Sequence, residues 1–86
     1  MTLNAHERAQ YAATLLEDAA LEEALRRIRE RHLVVWENSK PEEVEVRERA
    51  FAAIRAIGDL KAELRSQVAA PKVTAFNNRN LGKTAS

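Results

Sequence analysis

The sequence predicts an all-α fold: an antiparallel helical hairpin with a short additional N-terminal helix and an extended C-terminal arm. Three observations carry that prediction. The 86 residues include only two glycines, two prolines and four aromatics, against many Ala, Leu, Glu and Arg, which is the composition of helices rather than sheets. Apolar residues recur in steps of three and four, as one face of a helix requires. A single sharp polar break, "NSKP" at residues 38–41, separates the two longest periodic stretches.

Asn4 followed by Glu7 resembles a capping box, and Ala5, Ala9, Ala12 and Leu16 then follow at helical spacing, which predicts a first helix over residues 5–16. The best amphipathic stripe follows: Leu21, Leu25, Ile28, His32 and Val35, with Ala24 and Trp36 beside it. The step from Leu16 to Leu21 breaks phase, and Asp18 is placed to cap a new helix over residues 19–37. We read a bend at Glu17 and Asp18; one continuous, drifting helix is the alternative.

In "NSKP", Ser39 and Glu42 form an S-x-x-E pattern, and Pro41 falls in a first turn, where its missing N–H costs nothing. The third helix is expected over residues 40–68, about 40 Å long against about 28 Å for the second. The mismatch leaves about three turns overhanging for the first helix to cover. Its apolar positions, Val46, Ala50, Ala53, Ile54, Ile57, Leu60, Leu64 and Val68, span a wide arc, with Lys61 near the middle and Phe51 outside its centre. One partner helix cannot cover that arc. Gly58 within it costs about 1 kcal/mol relative to alanine and is expected to permit close helix approach.

Pro71 is expected to end the helical part, dividing the chain into a helical domain, residues 1–69, and a basic extended arm, residues 70–86. The arm holds Val73, Phe76 and Leu81 as its sizeable apolar residues, too few to bury against one another. Residues 69–86 carry Lys72, Arg79 and Lys83 without an acid, so of the overall +1 charge they hold +3 and the body −2.

The sequence offers no readable catalytic chemistry. There is no cysteine, so neither a disulfide nor a thiolate metal site is available. His6 and His32 lie on different predicted helices with no second ligand at metal spacing, and no metal or other cofactor is expected. Ser39, Ser66 and Ser86 have no histidine at motif spacing, and Gly58 and Gly82 make no phosphate loop. No enzyme activity, catalytic residue or small-molecule substrate is expected. The "RRIRERH" run spreads its arginines around the helix; Glu22 with Arg26, Glu23 with Arg27, Glu43 with Arg47 and Glu45 with Arg49 read as i,i+4 pairs on solvated faces. The N-terminus has no signal-peptide pattern, and the longest apolar run, Leu33 to Trp36, cannot span a bilayer. A soluble, unsecreted chain without a membrane partner is expected.

Leu15, Leu16, Asp18, Leu21, Ala24, Leu25, Ile28, then Trp36, the polar turn around Ser39, and Glu45, Arg47, Glu48, Ala50, Ile54, Ile57, Leu60 and Leu64 together form a pattern over residues 15–66. It resembles small helical proteins of tailed bacteriophages and prophages encoded near portal and head genes. The resemblance implies a non-enzymatic structural or assembly protein of the head or portal (head–tail connector) region, found in the virion and, during assembly, in the host cytoplasm. Its partners would be copies of itself and portal or capsid proteins, with nucleic acid a further candidate for the basic arm. The expected partner-binding residues are Ile57, Leu60, Lys61, Leu64, Val68, Val73, Phe76, Arg79, Leu81 and Lys83. Core and turn are assigned to Leu21, Leu25, Ile28, His32, Val35, Trp36, Ser39, Pro41, Ala50 and Ile54. The alternative is a small regulatory binder, either a terminase-associated DNA-binding protein or an inhibitor of a host defence complex.

Overall fold

The computed structural model describes the backbone of residues 2–84 and the side-chain surroundings of residues 2–72. Three helices follow in order, α1 (Ala5–Glu17), α2 (Ala19–Asn38) and α3 (Val44–Thr84), with no strand among the described residues. Trp36 of α2 meets Arg47 near the start of α3, while Leu21 and Leu25 meet Lys61 and Leu64 farther along it, so α2 and α3 form an antiparallel hairpin. α1 lies in line with α2 and packs on the next stretch of α3, with His6 and Ala9 beside Val68 and Pro71. α1 thereby covers the overhang that unequal helix lengths impose. The molecule is a rod of 63 × 29 × 22 Å, as the 41 residues of α3 require at about 1.5 Å each.

Asp18 alone separates α1 from α2. Its backbone is extended (φ −74°, ψ 112°), its N–H donates to the Leu15 carbonyl at 3.2 Å, and its carboxylate accepts from the Leu21 N–H at 2.9 Å. One residue thus closes the first helix and opens the second, which resolves the phase break in favour of a bend. At the other end of α1, the Asn4 side chain accepts from the Glu7 N–H at 2.9 Å, as its capping pattern anticipates.

The hairpin turn differs from expectation. Ser39 caps the end of α2 instead of the start of α3: its N–H and its hydroxyl both donate to the Trp36 carbonyl, at 3.2 and 2.6 Å. Lys40 to Glu43 then form a tight turn, closed by the Glu43 N–H on the Lys40 carbonyl at 2.9 Å, with Pro41 at the second position that its fixed φ suits. The Glu43 carboxylate accepts from the Lys40 N–H at 2.8 Å. The Ser39 hydroxyl accepts from the Arg47 side chain at 3.0 Å and not from a backbone N–H of the following turn, and α3 starts at Val44 rather than residue 40.

The buried line on α3 runs through Ala50, Ile54, Ile57, Lys61, Leu64, Val68 and Pro71, in alternating steps of four and three. Leu21, Leu25, Ile28 and His32 face it from α2, and Ala9, Ala12, Ala13 and Leu16 from α1. Alanines hold the closest positions, Ala50 at 1% exposure and Ala12 at 2%, because a methyl group lets two helix backbones approach. Leu25, Ile57 and Leu64 are the large side chains of the core, each worth about 1.5–3 kcal/mol when buried. Val35, expected in the seam, is 46% exposed: near the turn it lies at the outer edge of α2's buried face.

Two further expectations are corrected. α3 continues through Pro71 to Thr84, so residues 71–84 are helical rather than an extended arm. Proline removes one rung of the ladder, but Ala69, Ala70, Lys72 and Ala75 around it are good helix formers, and its ring is half-buried beside α1. Gly58, expected to let helices close up, faces open space: a methyl group built there meets nothing within 4 Å.

Candidate functional site

The turn end holds the most elaborated polar arrangement. The Arg47 guanidinium stacks over the Trp36 ring at 4.6 Å and donates to the Ser39 hydroxyl at 3.0 Å and the Ser39 carbonyl at 3.4 Å. These contacts join the two ends of the hairpin through one side chain. Arg47 is half-buried, while Trp36 keeps 38% of its surface in water. The expected Glu43–Arg47 pair is replaced by this cation–π and hydrogen-bonded arrangement, which a planar guanidinium serves better than a lone carboxylate contact.

The arginine-rich run of α2 forms a charge cluster on one exposed face. Arg26 pairs with Glu23 and Glu30, each at 2.7 Å, and Arg27 with Glu23 at 2.9 Å. The Glu23–Arg27 pair was expected; Arg26 turns to Glu23 and Glu30 rather than to Glu22. Hydrogen bonds from Arg26 and then Arg27 hold the Glu23 carboxyl below the usual carboxylate range, and Glu23 in turn raises the Arg26 guanidinium. Such exposed pairs orient side chains and contribute little to stability. Among the described residues, no group of three or more His, Cys, Asp or Glu could hold a metal ion, and His6 and His32 lie on separate helices.

The expected partner-binding residues divide into four sets. Ile57 and Leu64 are buried, and Val68 is half-buried; α1 and α2 already cover them, so they are core and not contact surface. Lys61 is half-buried, with Glu22 and Arg65 lining the same recess. Leu60 remains 43% exposed and available to a partner. Val73, Phe76, Arg79, Leu81 and Lys83 lie on the helical backbone of α3, and their side chains fall outside the described surroundings.

Leu60 belongs to a longer apolar band. Val46, Ala53 and Leu60 are spaced by seven along one edge of α3, and Ile28 and Val35 by seven along one edge of α2. In an antiparallel pair these edges open on the same flank of the seam. Val46, Leu60 and Val35 are 39%, 43% and 46% exposed, while Ile28 and Ala53 are half-buried beneath them. Tyr11, Val34, Val44 and Phe51 are further exposed apolar residues for which no partner role was anticipated. Val34 and Val35 carry one readable signal: adjacent residues point about 100° apart on a helix, so both cannot enter one seam.

Comparison with protein-family models, with curated proteins and with solved structures finds no match to this chain. No helix among the described residues is long and apolar enough to cross a membrane.

Proposed function

We propose that this chain is a non-enzymatic structural or assembly protein that works by helix-to-helix association, with copies of itself and with other subunits of a larger particle. One observation carries the reading: the band of Val35, Val46 and Leu60, running beside Ile28 and Ala53 on a single flank of the hairpin. Heptad spacing on both helices suits a further helix laid alongside them. The small core supports the same conclusion, since among the described residues five side chains are buried while nine large apolar ones remain exposed; covering the band adds burial that a chain of this size lacks alone. The pattern over residues 15–66 that resembles phage head- and portal-associated proteins supplies the setting, a virion head or portal vertex, where symmetric copies are the rule.

Sedimentation equilibrium on the full chain tests the reading. An oligomer that dissociates when Val35, Val46 and Leu60 are replaced by Gln, with helicity retained, is the expected result. A monomer at every concentration up to about 100 μM, well above useful affinities for a particle subunit, overturns self-association. Absence of the protein from purified particles overturns the virion setting.

A further inference from the structure

Because α3 continues through Pro71, cations that sequence alone assigned to a loose arm fall into helical register with cations of the body. At 100° per residue, Lys61, Arg65, Lys72, Arg79 and Lys83 occupy a sector only about 40° wide, along about 33 Å of α3. Every acid of α3, namely Glu45, Glu48, Asp59 and Glu63, falls in the opposite sector. From Lys61 onward the cations of this helix stand apart from its acids, whereas Arg49 and Arg55 nearer its start lie beside them, as the charges of α2 do.

Among the described residues Arg26 and Arg27 of α2 pair with Glu23 and Glu30, while Lys61, Arg65 and Lys72, like Arg29 and Arg31 of α2 and Arg49 and Arg55 of α3, enter no ion pair. Glu22 lines the recess that contains Lys61 and Arg65. Beside Lys72 the recess is lined by His6 and Gln10 and has no acid. By register the apolar band lies on one flank of the seam and the stripe toward the other, with Lys61 half-buried on the seam line itself, so both can be occupied at once.

We infer that this stripe binds the phosphate backbone of duplex nucleic acid without reading its bases. A straight row of cations on a helix with small neighbours, Ala69 and Ala75 among them, can lie close to a row of phosphates. Each cation seated on a phosphate releases condensed counterions. A membrane surface fits less well: by register only Phe76 falls beside the charges, and Val73 and Leu81 spread away from it over about 140°, too sparse a set to form an inserting face. The inference is independent of the assembly reading, because it uses a different surface and a different force.

The test is fluorescence anisotropy of a random-sequence duplex of about 30 base pairs with the full chain, titrated at 50 to 200 mM NaCl. Five phosphate contacts predict a slope of log affinity against log salt near −4.5, which is a loss of about 500-fold across that range. Replacing Arg79 and Lys83 by Gln should reduce the slope by about 1.8. Replacing Arg49 and Arg55, exposed cations of the same helix outside the stripe, should leave it unchanged. Gln retains the helix propensity of Lys and Arg, and circular dichroism verifies that each variant folds. Absence of binding at 50 mM salt, or equal effects of the two double substitutions, overturns the inference. So does tighter binding to phosphatidylglycerol vesicles or to polyglutamate than to the duplex.

Discussion

Replacing Gly58 by alanine tests how well α3 is understood. The residue sits inside a long helix, is exposed, and has no neighbour within 4 Å of where a Cβ would stand. Alanine therefore adds no clash and removes the backbone entropy that glycine loses on folding. The propensity difference at an interior helical position is about 0.8–1.0 kcal/mol, all of it expected as a gain. For a domain of this length, that raises Tm by about 4–8 °C. Thermal and urea unfolding followed at 222 nm measure it, with the urea slope unchanged and the midpoint higher. A loss of stability would refute the reasoning, because it would mean another backbone packs against Gly58 in solution. Since the folded chain provides no such backbone, that result would also locate a partner contact.

Three other predictions follow from the same packing. Ala50, at 1% exposure between α2 and α3, should tolerate no larger residue: Ala50→Leu is expected to cost about 1–3 kcal/mol, read as a lower urea midpoint. Arg47→Ala removes the stack on Trp36 and both bonds to Ser39, with an expected loss of about 1–2 kcal/mol and a shift in tryptophan emission; a conservative Arg47→Lys should restore only part, since lysine lacks the planar fork. Glu23 has its folded-state pKa depressed by Arg26 and Arg27, so its contribution is present above the ordinary carboxylate pKa and fades as pH falls through the depressed value. Stability against pH should show that decline on acidification below the ordinary carboxylate range in the native chain and a smaller one in Glu23→Gln, the difference being small because the cluster is exposed.

Capping and periodicity made much of the fold legible in advance. Asn4 and Asp18 are short polar side chains that satisfy local N–H groups, an interaction decided within four residues, so their pattern is readable from sequence. The stripe Leu21, Leu25, Ile28 and His32 is readable for the same reason. The turn was readable as a break but not in its wiring: Ser39 can serve the helix before it or the one after it, and the choice depends on where the Trp36 carbonyl and Arg47 lie. The contact surface was less legible. Ile57, Leu60 and Leu64 read alike as apolar positions on one helix; α1 and α2 bury Ile57 and Leu64 and leave Leu60 in water.

Composition and local spacing by themselves thus determined an all-helical chain, its bend at Asp18, its polar turn at residues 38–41 and the basic character of its end. Those properties depend on neighbours within one or two turns of helix. The tertiary structure decided which apolar residues are spent inside and which remain as a band on one flank. It also shows α3 continuing past Pro71, which brings Lys61 and Lys83 into line. Both outcomes depend on how two short helices lie along a longer one, where distant residues and not neighbours set the burial.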